Sequence, residues 1–168
     1  MNKKIKQSKK GFLLASEVLK IVLAVISISF LIYLLFSLYY SNSNAKNKEE
    51  AQSTINRIND IITRINNNAV KSEGVTDITP VSWSFFSYIG SESKPNLCAG
   101  ETCLCICDTP NVISKFWTSQ TAKCDSDGVC LAVSNLQKFQ SFEIKGPSDG
   151  GTSINITKNG EYIGVEKL

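Results

Sequence analysis

The chain has 168 residues, 18 lysine and arginine side chains against 15 aspartate and glutamate, a net charge of +3, six cysteines and no histidine. The missing histidine excludes Ser-His-Asp and Cys-His nucleophile arrangements, HExxH zinc sites and histidine general bases, and nothing singles out a catalytic carboxylate pair, so an enzyme is not expected. The positive balance belongs to one end: six lysines and one glutamate precede Ile21, whereas from Ser41 onward twelve basic side chains face fourteen acidic ones. Nucleic-acid binding needs a basic face on the folded domain, so nucleic acid is not an expected partner.

The N-terminus reads MNKKIKQSKK, with five lysines, then Gly11-Phe12, Glu17, Lys20, and an uncharged run of twenty residues from Ile21 to Tyr40. At about 1.5 Å per residue that run makes about 30 Å of helix, the hydrocarbon thickness of a bilayer. A cleaved secretory signal would have a shorter apolar core and an Ala-x-Ala-like site behind it, and SNSNAKNKEE offers none. Two readings remain: a permanent signal anchor, or a leader cut on the cytoplasmic side ahead of the helix. The lysine bias places residues 1–10 in the cytoplasm and everything after Tyr40 outside. Glu17 and Lys20, three residues apart on one helical face, read either as an ion pair at the membrane boundary or as an assembly contact.

The Lys-Lys-Gly-Phe junction, with KKGFLLASEVLKIVLAVISISFLIYLLFSLYY around it, resembles the class III signal of type IV pilins, and most of all pilin-like proteins of small-genome archaea. In that family a dedicated peptidase cuts after the glycine, phenylalanine commonly becomes the first residue, and a glutamate stands fifth. The resemblance implies processing at Gly11 and Phe12, with Glu17 as the sixth mature residue, one place beyond the family position. It also implies that Glu17 faces the freed amino group of Phe12 on a neighbouring subunit, which would neutralise a buried carboxylate and fix the stagger between helices. The implied partners are identical subunits in a helical filament, the membrane during biogenesis, and a prepilin-peptidase-like processing enzyme. The implied location is the cell membrane before assembly, N-terminus cytoplasmic, and an extracellular surface filament afterwards.

From Glu49 to Asn68, Ala51, Ile55, Ile58, Ile62 and Ile65 recur at alternating spacings of four and three, a narrow apolar stripe on one helical face. Two glutamates open the segment in keeping with helix-end preferences, while the closing asparagine run carries no such signal. The stripe is expected to pack on the chain's own β domain, because it holds fewer than three heptads of a coiled coil. Joined to the apolar run, it makes one helix over residues 12–68, on the order of 80 Å long, unless SNSNAKN interrupts it.

The rest reads as strands. VSWSFFSYI, residues 81–89, follows Pro80 and places Val81, Trp83 and Phe85 on one face. In SINITKNGEYIGVE, Asn159-Gly160 is the preferred type I′ hairpin dipeptide, predicting Ile156 opposite Ile163 and Ile154 opposite Val165. With FQSFEIK ahead of it, residues 139–168 are expected to form a three-stranded meander. Asn155-Ile156-Thr157 is a glycosylation acceptor, with Asn155 on the face opposite Ile154 and Ile156 and therefore expected to be exposed.

All six cysteines, Cys98, Cys103, Cys105, Cys107, Cys124 and Cys130, fall within 33 residues, and in an extracytoplasmic domain they read as a disulfide framework. On a strand Cys103, Cys105 and Cys107 share one face; neighbours two apart are about 6.6 Å between Cα atoms, at the edge of bridging range. Each is therefore expected to pair with one of Cys98, Cys124 and Cys130, which leaves about six of the roughly fifteen connectivities open. Zinc or iron–sulfur is the weaker reading, with no Cys-x-x-Cys, no histidine and an oxidising compartment. Asp125-Ser126-Asp127-Gly128 lacks the glycine and glutamate positions of a calcium loop and reads as a turn between Cys124 and Cys130. No cofactor or metal is implied. The expected architecture is α+β: a basic leader (1–11), a hydrophobic helix (12–40), a polar linker and amphipathic helix (41–70), and a disulfide-stapled β domain (71–168), the helix packed on a small antiparallel sheet in the pilin manner.

Overall fold

The computed structural model describes residues 9–109 and 119–168, with backbone alone for 9–16. The fold is α+β, with one long N-terminal helix and two small antiparallel sheets. Helix α1 spans Lys9–Asn66, so SNSNAKN does not interrupt it. The chain divides into two compact units between Ser43 and Asn44.

In the first unit every described side chain from Glu17 to Asn42 is exposed. The backbone needs no help there, since each turn of helix satisfies its own N–H and C=O groups. The Ser27 hydroxyl is satisfied in the same way, donating to the Leu23 carbonyl at 2.8 Å.

In the second unit the C-terminal part of α1 carries the predicted stripe. Ala51, Ile55, Ile58, Ile62 and Ile65 are all buried, joined by Thr54 and Ile61. The stripe packs into one core with Val75 and Ile78, with Phe85, Leu104 and Ile106 of one sheet, and with Ile154, Ile156, Ile163 and Val165 of the other. Polar bonds pin the same helix: the Thr54 hydroxyl donates to the Thr79 carbonyl at 2.8 Å, and Arg64 pairs with Glu73 at 2.5 Å. The asparagine run does end the helix. Asn68 takes a left-handed φ of 57°, its N–H reaches the Ile65 carbonyl at 3.0 Å and the Ala69 N–H reaches that of Arg64 at 2.9 Å. This is the Schellman pattern, with asparagine in the place glycine usually fills.

The first sheet is β1 (Ser72–Val75), β6 (Ile154–Asn159) and β7 (Tyr162–Lys167), in the order β1-β6-β7. The second is β2 (Trp83–Tyr88), β3 (Cys103–Asp108), β4 (Gly128–Ala132) and the two-residue β5 (Phe142–Glu143), in the order β4-β3-β2-β5. The expected meander is thus corrected. β5 joins β2, where Phe142 pairs and stacks with Phe85, and the third strand beside the β6–β7 hairpin is β1. Two features detach 139–145 from the hairpin: the Phe139 main chain is held by the Ser87 hydroxyl at 3.2 Å, and a 3-10 turn at Pro147–Asp149 with left-handed Gly150 and Gly151 precedes β6.

The hairpin register is corrected by two residues. Ile156 faces Val165 and Lys158 faces Ile163, with Asn159 opposite Tyr162. The loop is Gly160-Glu161 rather than Asn159-Gly160, with positive φ (66°) at its first position only, as a type II′ turn requires. A slip of two keeps every side chain on its face, which is why Ile154, Ile156, Ile163 and Val165 are still buried together. Val81 is a further correction. It lies before β2, beyond a left-handed Ser82 (φ 68°), and is 44% exposed while Trp83 and Phe85 are buried. The Asp125-Ser126-Asp127 stretch is no free turn but the end of a helix, α2 (Gln120–Asp127), and Gly128 opens β4.

Candidate functional site

Strand β3 separates two environments. Leu104 and Ile106 point into the main core, whereas Cys103, Cys105 and Cys107 point the other way into a second cluster with Cys98, Cys124 and Tyr88. Alternation along one strand thus builds an apolar face and a sulfur face from the same six residues. The bridges are Cys98–Cys103, Cys105–Cys130 and Cys107–Cys124, one member of each taken from the β3 trio. They tie β3 to the 3-10 turn Asn96–Cys98, to the facing position of β4, and to α2.

Helix α2 was not foreseen, although its signals stand in the sequence. Ser119 caps it, its hydroxyl accepting from the Ala122 N–H at 3.2 Å, and Lys123 and Asp127 occupy i and i+4. Lys123 Nζ lies 2.6 Å from Asp127 and 3.2 Å from Asp108. Partial burial works against the charge of each partner. The hydrogen bonds nevertheless win, holding Lys123 above its ordinary value and Asp127 below its own. Gly128, where α2 gives way to β4, has no room for a side chain: a Cβ there would stand 2.5 Å from the Cys124 carbonyl and 2.9 Å from Cys107 Sγ.

Tyr88 lies against the same bridge, its hydroxyl 3.5 Å from Cys124 Sγ, and burial, with the negative fields of Glu92 and Asp125, pushes it up to about 12. It is a neutral donor at any physiological pH. Beside β2, past its two-residue pairing with β5, Lys138 Nζ donates to the Ser87 carbonyl at 2.6 Å and meets Glu92 at 2.7 Å. Desolvation pushes Glu92 up, but Lys138 and the Ile89 N–H hold it below the usual carboxylate range.

No protein family, curated protein or solved structure matches this chain. The N-terminal sites therefore rest on their residues. Gly11 and Phe12 lie in the first turns of α1, their side chains outside the described residues, as are residues 1–8 of the basic leader. Glu17 and Lys20 are both exposed, and the ion pairs among the described residues do not include one between them. The apolar side chains from Val18 to Tyr40 are uncovered, Leu35 at 68% and Tyr39 at 71%. This part of α1 is long and apolar enough to cross a membrane. Asn155 is half-buried rather than exposed, because it sits on the middle strand of its sheet, facing Gly74 and Glu166, while Ile154 and Ile156 beside it are buried.

Proposed function

We propose that the chain is a structural subunit, a pilin, of an archaeal type IV pilus-like surface filament. The observation that carries this reading is the uncovered, uncharged stretch Ile21–Tyr40, with apolar side chains on every face of the helix and Glu17 and Lys20 just ahead of it. A helix hydrophobic all round belongs in lipid or among other helices. Moving it from bilayer to a core of identical helices changes its apolar surroundings little, so packing and the Glu17 contact decide assembly. The disulfide-stapled β head then forms the filament surface, available for adhesion or contact with other cells.

A second reading, a single-pass anchor carrying an extracellular binding module that never polymerises, is favoured by one observation: Glu17 stands sixth after Gly11, not fifth. N-terminal sequencing of sheared extracellular material separates the two. Phe12 as first residue supports the pilin. An intact Met1–Lys10 leader on all surface material overturns pilin-type processing and leaves the anchor.

A further inference from the structure

Of the tyrosines in the uncharged run Ile21–Tyr40, Tyr39 and Tyr40 close it, where amphipathic rings sit at a membrane–water boundary. Tyr33 does not. By helical rise it stands about 10 Å inside Tyr40 and about 18 Å from Ile21. Helical side chains tilt toward the N-terminus, which carries its ring deeper rather than out to the nearer boundary. Its hydroxyl ends a rigid ring and cannot turn back to its own main chain, as Ser27 does in donating to the Leu23 carbonyl at 2.8 Å. Among the described residues no other hydroxyl of the run has a hydrogen-bond partner. Neither water nor a lipid tail supplies one at that depth.

Ser29 and Ser37 stand four residues to either side of Tyr33, so three exposed hydroxyls share one helical face. At about 100° per residue, Glu17 and Lys20 lie about 140–160° round the helix from Tyr33, so this face is distinct from the charged one. A hydroxyl both donates and accepts, which makes the face complementary to itself. Copies inserted by the same lysine-rich end share one orientation and bring the same residues to the same depth.

We propose that a second copy of the chain covers this face, in a parallel two-fold pair within the bilayer in which Tyr33 of each copy donates to Ser29 of the other. The tilt toward the N-terminus sets the Tyr33 hydroxyl near the level of Ser29, and the two-fold axis makes the contact twice. Ser29 accepts with a lone pair, and its own proton is left for the Val25 carbonyl, the kind of bond Ser27 makes to Leu23. The pairing rests on the proposed function only in giving the helix identical neighbours, and needs neither cleavage after Gly11 nor a filament.

The test is sedimentation equilibrium of the full chain in detergent micelles, where the parent should be a reversible dimer. Tyr33→Phe removes one oxygen atom, keeps the ring, and should weaken association about threefold to tenfold. Ser29→Ala should do the same, and the double variant should fall little further, because both changes remove the same bond. Ser27→Ala, bonded within its own helix, should match the parent. In lipid vesicles Ile26→Cys, on the Tyr33 face, should cross-link between copies under mild oxidation, whereas Ile28→Cys, about 140° away, should not; the head contributes no free thiol. A monomeric parent, equal association in Tyr33→Phe, or cross-linking at Ile28 as ready as at Ile26 overturns the pair. Normal filaments from a chain that fails these tests would leave the pilin reading standing without the pair. A pair that forms where no processed filament exists would leave the pair standing without the pilin reading.

Discussion

The two parts of helix α1 are made of similar residues and live in opposite circumstances. From Val18 to Tyr40 isoleucines, leucines and aromatics cover the whole circumference, and none of them is buried. From Ala51 to Ile65 the apolar residues keep to one face, and every residue of that stripe is buried. A narrow stripe specifies a partner within the chain, because only one face must be hidden and a sheet supplies the matching one. An apolar surface all round specifies a surrounding, and no element of a small β head can supply that. The second part therefore stabilises a fold, and the first is left to act on something outside the molecule.

Breaking that contrast most sharply is Glu17→Ala. If Glu17 compensates a neighbour's charge in a filament core, its removal leaves that charge unpaired among apolar helices, a loss of about 3–5 kcal/mol per subunit. Sheared filament mass should collapse while membrane-bound chain persists, since Ile21–Tyr40 is untouched. Equal partition between the two pools in variant and parent would remove the main reason for preferring assembly. Ile58 and Ile28 make the next comparison. Ile58 is fully buried, so Ile58→Ala should lower head stability by about 2–5 kcal/mol through lost burial and a cavity. Ile28 is 58% exposed, and Ile28→Ala should leave the same unfolding transition within about 0.5 kcal/mol. Near-ultraviolet circular dichroism of both variants in detergent measures this, and a comparable drop in each would mean that the two parts of the helix do not differ as described.

What could be read from the sequence follows the same division. The stripe at Ala51, Ile55, Ile58, Ile62 and Ile65 was legible because helical period alone selects the buried face. The trio on one side of β3 was legible because strand alternation is equally local, and from it followed the division of the cysteines into two partner sets. Local rules stop where neighbours are chosen. Nothing in FQSFEIK says that Phe142 prefers the ring of Phe85 to a place beside the hairpin, since that preference is made by a residue 57 positions away. The hairpin shift arose because Gly160 suits the second position of a type I′ turn and the first of a type II′ turn equally well. Helix α2 was hidden by its weak apolar content; its signals are the Ser119 cap and one i, i+4 pair, and its last three residues, Asp125-Ser126-Asp127, read equally well as a turn. The particular pairing of the two cysteine sets needed the register of β4 on β3, which no spacing in the sequence encodes.

Gly128→Ala sharpens the contrast from the side of the head. The added methyl group would meet the Cys124 carbonyl and Cys107 Sγ, both fixed by the bridge between those residues, so neither yields cheaply. A loss of about 1–3 kcal/mol in head stability is expected, with membrane insertion unchanged. A variant as stable as the parent would show that the α2–β4 junction relaxes freely.

The smallest effect belongs to the Lys123 network, which touches the head alone. Asp127 is held below its ordinary value, so its contribution is complete above pH ~4 and is lost as pH falls through the depressed folded value. Lys123 is held above its ordinary value, so its contribution is complete below pH ~10 and is lost as pH rises through the raised folded value. Between those limits both partners are charged and the pair is at full strength. Its side chains are 24% and 28% exposed, so solvent screens it, and Asp127→Asn should cost no more than about 1 kcal/mol at neutral pH. The informative quantity is the shape of the curve. With Asp127→Asn, the difference in melting temperature from the parent should shrink toward zero as pH is lowered below ~4, because the parent loses the same interaction by protonation. A difference that stays constant across that range would place the effect of Asp127 in the capping of α2 rather than in its charge. The fraction of chain recovered with membranes should not move in either case, since no residue of this network lies in Val18–Tyr40.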